Sequence, residues 1–121
     1  MWYGAEASQL ILSAGDYARE LGHSYVGSIH FLLAMIAEPG IPGRILRASG
    51  LDGTVLKDMA VILYGAGTPG LPLPQGLTKE ARRILRAAAG EAQLLKQREV
   101  VPAHILLALT RREKAAAREL L

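Results

Sequence analysis

Moving the sequence along itself by 74 positions lays one half on the other without a gap, from Tyr3 on Leu77 onward. Ala14 falls on Ala88, Ala18 on Ala92, Leu21 on Leu95 and Val26 on Val100. His30 then meets His104, Leu32-Leu33-Ala34 meets Leu106-Leu107-Ala108, and Arg44 and Leu46 meet Arg118 and Leu120. Helical sequences produce Leu and Ala coincidences freely, but the His pair, the Val pair and the unbroken register are not cheap. A unit too small to bury its own apolar face must pack against its copy. The chain is therefore constrained to one all-α domain with an approximate two-fold axis between repeat one (3–64) and repeat two (77–121).

Within repeat one, Leu10, Ala14, Tyr17, Ala18 and Leu21 fall at i, i+4, i+7, i+8 and i+11, the stripe of an amphipathic helix ended by Gly22. Ser28 is placed to cap a second helix, Ile29 to Ala37, which is apolar almost all round and is expected at the buried centre. Pro39-Gly40 stops it, Pro42 suits the start of a third helix closed by Gly50, and Asp52 or Thr54 can cap a fourth carrying Val55, Leu56, Met59, Ile62 and Leu63. Residues 65–76, with four Gly and three Pro, read as a linker. Thr78 then caps a long helix, and Val100 and Pro102 lead to a short apolar one. A basic turn and a last helix to Leu121 complete repeat two. It is a four-helix unit without its fourth helix, since nothing answers residues 52–64. Either the polypeptide continues beyond Leu121 or an apolar groove is left for a partner.

Folding 121 residues buries about 65% of the unfolded surface, enough for a core when half the residues are hydrophobic. With no Cys, a disulfide framework, a thiolate zinc site and a Cys nucleophile are all excluded. No apolar run reaches the ~18–20 residues of a membrane span, and the N-terminus lacks the basic and apolar regions of a signal peptide. A cytoplasmic protein without membrane association is expected. Charge is uneven: residues 1–64 hold four Lys/Arg and six Asp/Glu, residues 65–121 ten and five.

The segment Gly22-His23-Ser24-Tyr25-Val26-Gly27-Ser28-Ile29-His30-Phe31-Leu32-Leu33 resembles the motif (G/N)-H-N-Y-(I/V)-G-T-E-H-(I/L)-L-L of the Clp N-terminal domain, the double repeat that precedes the ATPase modules of Clp unfoldases, ClpC-type above all. Tyr3 stands where that family opens with Phe, and Leu77-Thr78 matches the same dipeptide in repeat two. The resemblance implies a docking module without catalysis, binding adaptor or substrate proteins for an ATPase ring present in cis. A free-standing Clp-repeat adaptor or decoy is the alternative. No G-x-x-x-x-G-K-[ST] motif occurs in this sequence. In the ClpC type the Glu of each Thr-Glu-His helps to hold phosphoarginine. Here those positions are Ile29 and Ala103, Ser28 keeps a hydroxyl and Pro102 does not, so phosphoarginine binding is expected to be lost.

The partner-binding candidates are accordingly Tyr3, Ser28, Ile29, Leu77, Pro102 and Ala103. His30 and His104 read as structural imidazoles, with Gly22 and Gly27 as structural glycines. No catalytic constellation and no metal site can be assembled, because neither histidine has a carboxylate at i±3 or i±4 and His23 is off the usual ligand spacing. No cofactor is expected. Lys79, Arg82, Arg83 and Arg86, at i, i+3, i+4 and i+7, form a basic stripe that is either a solvated helix back or a seat for an acidic adaptor. No aromatic interleaves with these charges, which points away from nucleic acid, the third reading.

Overall fold

The computed structural model describes residues 2–65 and 76–120, and of residue 2 and residues 112–120 the backbone alone. The chain order is β1 (Trp2–Tyr3), α1 (Ala5–Glu20), α2 (Ser28–Ala37), α3 (Ile41–Ala48), α4 (Gly53–Tyr64), α5 (Lys79–Leu94), β2 (Glu99–Val100) and α6 (Pro102–Leu120). Most of the expected linker lies outside the described residues.

Small residues set the packing. Ala7, Ala14 and Ala18 on α1, and their counterparts Ala81, Ala88 and Ala92 on α5, are all wholly buried. Their small methyl side chains let α2 lie close on α1 and α6 close on α5, while Leu10 and Ile84 fill the remaining space. Helix α2 is buried at seven of its ten positions, Phe31, Leu33 and Met35 among them, which makes it the central helix. Helix α4 lies on α2 through Leu56 and Ala60. Gly43 brings α3 so close to the end of α2 that a Cβ there would stand 2.6 Å from the Met35 carbonyl oxygen.

The two halves exchange short extended segments. Tyr3 pairs in parallel with Val100, and Leu77 forms the matching parallel bridge to Val26. Gly4 N–H donates to the Val100 carbonyl at 2.9 Å, and Thr78 N–H to the Val26 carbonyl at 2.9 Å, a pair again 74 positions apart. Each half's first helix is thus tied at its start to the other half's joint.

The helix ends follow the residues that make them. Asp52 Oδ1 accepts from Val55 N–H and Thr78 Oγ1 from Ala81 N–H, capping α4 and α5. Gly22 and Gly50 take positive φ at 73° and 89° after α1 and α3. Two expectations are corrected. The N-cap of α2 is Gly27 and Ser28 is its first helical residue: Gly27 keeps the extended backbone of a cap, its carbonyl accepts from His30 N–H, and its own N–H is bound by the His30 imidazole. There is also no basic turn in the second half: α6 runs unbroken to Leu120. At the positions matching Pro39-Gly40 the second half has Glu113-Lys114, good helix formers that give no reason to stop. Among the described residues, no single helix is long and apolar enough to cross a membrane.

Candidate functional site

The joint between α1 and α2 is built around a chain of hydrogen bonds whose direction is fixed by its first donor. Gly27 N–H donates to His30 Nδ1 at 2.8 Å, so in the neutral ring the proton of His30 sits on Nε2. That Nε2 lies 2.9 Å from His23 Nδ1, which must accept, leaving His23 Nε2–H to donate to the Gly65 carbonyl at 2.8 Å. Both imidazoles are buried, and Tyr64 stacks on His30 with centroids 5.6 Å apart. The pKa of His30 is pushed down to about 4, first by burial and then by the neighbouring His23. The arrangement joins the N-terminus of α2 to the C-terminal end of α4. Among the described residues no buried side-chain polar atom lacks a partner, and no carboxylate or nucleophile completes an acid–base set at the joint. Groups of three or more His, Asp or Glu able to hold a metal are absent among the described residues.

The joint between α5 and α6 repeats the backbone and omits the cover. Val101 N–H donates to His104 Nδ1 at 2.9 Å, as Gly27 does to His30. The position matching His23 is Gln97, which is exposed, and no aromatic ring among the described residues lies against His104.

Two apolar grooves flank these joints, and they are related by the same 74-residue offset. The first, of about 200 Å³, is lined by Glu6, Leu10, Met35 and Pro42 together with Pro102 and Ala103 at the start of α6. The second, of about 580 Å³, is lined by Glu80, Ile84 and Leu109, the counterparts of Glu6, Leu10 and Met35. Ser28, the counterpart of Pro102, stands at its end beside α2, and Leu46 and Leu106 close its walls. Each groove therefore lies between the first helix of one half and the second helix of the other.

The sequence candidates divide by position. Ser28 borders the second groove, and Pro102 and Ala103 border the first. Ile29, taken from the sequence as a partner-binding candidate, is 4% exposed and belongs to the core, whereas Ala103 is exposed. Tyr3 Oη donates to the Leu85 carbonyl at 3.0 Å, and burial pushes its phenol up. Tyr3 and Leu77 both serve as pairing residues between the halves. Lys79, Arg82, Arg83 and Arg86 are all exposed along α5. Sequence reasoning missed His23 and Tyr64 as partners of His30, and the Gly65 carbonyl as the acceptor for His23. The signal for His23 was its place beside Gly22: a positive-φ residue reverses the chain and returns the next side chain toward the following helix.

Comparison with known proteins agrees with this geometry. The family described as "Clp repeat (R) N-terminal domain" matches residues 3–121. The chain is 34% identical over 112 residues to the chaperone protein ClpC3 of rice chloroplasts, covering 92% of this chain and 12% of that protein. The chain thus spans about an eighth of that relative's length. Among solved structures, the N-domain of ClpV from Vibrio cholerae superposes with a TM-score of 0.72 at 22% identity, covering 92% of this chain and 68% of that one. The N-terminal domain of the chaperone ClpD from Arabidopsis thaliana superposes with a TM-score of 0.69 at 18% identity, covering 88% and 74%. These two likenesses show the shared fold. With its family match over nearly the whole length, the chain belongs to the Clp repeat N-terminal domain family.

Proposed function

We propose that the chain is a docking module that acts by binding, presenting adaptor or substrate proteins to the ATPase ring of a Clp unfoldase. The observation that carries this reading is the pair of apolar grooves at offset-related places on a fully satisfied helical frame. Such grooves hold apolar side chains of a partner, while the buried polar atoms beside them are already paired and offer no chemistry. The test adds excess purified chain to a Clp protease degrading an adaptor-dependent substrate. Degradation should slow in proportion to the added chain, because the free module sequesters adaptor or substrate. No slowing at large excess would refute the docking role.

Phosphoarginine is not the mark this module reads. Neither position that carries the guanidinium-holding Glu in ClpC-type domains has a charge, and Ile29 is turned into the core. Calorimetric titration with phosphoarginine should give no saturable heat; tight, stoichiometric binding would overturn this.

A further inference from the structure

Helix α5 turns Ala81, Ile84, Leu85, Ala88 and Ala92 into the core. Helical spacing puts Lys79, Arg82, Arg83 and Arg86 on the opposite, solvent side, where all four are exposed. A helix disfavours this arrangement. Lys79 faces Arg82 and Arg83 across one turn, Arg86 faces the same two, and like charges at these spacings repel. Lys79 is also the first residue of the helix and Arg82 the fourth, at the positive end of the helix dipole. Among the described residues none of the four is ion-paired. The acidic residues of α5 lie off this side: Glu80 borders the second groove, and Glu91 is buried and bonded to Arg111 at 2.8 Å. The counterpart helix does without such a stripe. On α1 the matching positions are Ala5, Ser8, Gln9 and Leu12, with Glu6 in the first turn and Arg19 in the last, as the dipole favours. Beyond the cations the same side of α5 carries Ala87, Gly90 and Leu94, and Leu94 is 75% exposed.

We propose that this outward side of α5 is a docking surface for an acidic helix of a partner protein, which sets carboxylates on Lys79, Arg82, Arg83 and Arg86 and an apolar side chain on Leu94. This rests on the docking role above and names the partner's chemistry. Cations that repel one another in the free chain are relieved when carboxylates arrive, so their placement favours the bound state. Three of the four are arginines, whose planar donors meet a carboxylate in a bidentate fork. A helix suits the repeat, because carboxylates at i, i+3, i+4 and i+7 recur at the cations' own spacing of about 5–6 Å. Ala87 and Gly90 carry too little side chain to hold a partner off, and a Cβ on Gly90 would meet nothing within 4 Å. From Lys79 to Leu94 the surface runs about 22 Å, or about four turns. Nucleic acid fits less well, because it uses the cations alone, leaves Leu94 in water and finds no aromatic among these residues to stack on.

The experiment measures fluorescence anisotropy with a labelled alanine-based helical peptide that has Glu at i, i+3, i+4 and i+7 and a Leu two turns to either side. One twin has Lys for every Glu, a second keeps the composition but breaks the helical spacing, and a duplex DNA of similar charge is run beside them. The Glu peptide should bind at least about tenfold more tightly than the Lys twin and more tightly than the respaced one, with affinity falling as salt rises. The double variant Arg82→Gln, Arg86→Gln should lose about tenfold for the Glu peptide, while its urea midpoint holds or rises because a repulsion is removed. Leu94→Ser should weaken the Glu peptide about threefold without unfolding the chain, since this side chain meets mostly water. A lowered urea midpoint in the Gln variant would show that the fold itself needs the cations, and would overturn the proposal. Equal binding of the Glu peptide and either twin, or unchanged affinity in the Gln variant or in Leu94→Ser, would overturn it too. DNA binding as tight as the peptide would mark the stripe as a general polyanion site and overturn it as well. If these fail while added chain still slows adaptor-dependent degradation, docking stands and only this partner chemistry falls.

Discussion

The joint at residues 22–30 and the joint at 96–104 share a backbone and differ in what covers it. In the first, His23 N–H bonds to the Ala18 carbonyl and Gly22 N–H to that of Arg19; in the second, Gln97 bonds to Ala92 and Lys96 to Gln93. Each is the same helix-ending loop, and each is followed by a histidine that caps the next helix with Nδ1. Among the described residues only the first is roofed, by His23, Tyr64 and the end of α4. The backbone frame thus depends on how a helix ends and the next begins. Burial at the joint depends on side chains outside that frame. Substitutions at equivalent positions should therefore give unequal results wherever the roof matters.

The largest inequality is expected at the pair Ile29 and Ala103. Ile29→Glu places a carboxylate in the core and empties an apolar site, costing about 3–5 kcal/mol and leaving much of the protein unfolded. Ala103→Glu adds a carboxylate to an exposed first turn, where the helix dipole favours it, and should change stability by less than about 0.5 kcal/mol. Urea denaturation of both variants decides this. Similar losses would mean that the two joints are equivalently buried.

This pair also shows where sequence reading stopped. Helix order, the Asp52 and Thr78 caps and the glycine stops at 22 and 50 were legible, because each depends on residues close in sequence. The interior orientation of Ile29 was not, since a helix apolar on every side has no polar face from which to read direction. The contact of His23 with His30, and of both with Tyr64, closes through a chain reversal and a helix 34 residues further on, so no local period reports it. The break expected in α6 rested on charge, and charge alone does not end a helix.

Acid should act on the roofed joint next most strongly. The unfolded chain protonates His30 near its ordinary pKa of 6.5, the folded chain only near 4. Between those values the unfolded state binds more protons, so this contribution is complete above about pH 6.5, lost as pH falls to about 4, and constant below that. The gap amounts to about 3 kcal/mol, and its causes are first the burial of the ring and then the neighbouring His23. His30→Asn should be less stable at neutral pH and should lack this part of the slope. Parallel loss of stability in both proteins between those pH values would show that the imidazole pair is not the source.

A smaller effect isolates the close approach of Tyr64. Its hydroxyl lies where a Cβ on Gly27 would project, whereas the equivalent residue in the second half, Val101, already carries a side chain. Gly27→Ala should cost about 1–3 kcal/mol by overpacking. In a Tyr64→Phe background the cost should fall by about 1 kcal/mol, a coupling that a double-mutant cycle in urea measures directly. An unchanged cost would place the strain elsewhere in the joint.

The smallest inequality belongs to the backbone frame itself. Gly22 and Lys96 hold equivalent places with φ of 73° and 56°, and Lys96 is the one non-glycine residue with positive φ among those described. A Cβ in this left-handed region meets the following carbonyl, so the second loop carries a strain that the first avoids. Lys96→Gly should raise stability by about 0.5–1 kcal/mol, the relieved strain exceeding the extra entropy of an unfolded glycine. Gly22→Ala should lower it by about 1 kcal/mol. Thermal unfolding of the two variants reads the same backbone geometry with opposite signs. Should Lys96→Gly destabilise instead, the Lys96 side chain must contribute more to the second joint than its exposed position provides for, and the two loops would no longer be one frame with two coverings.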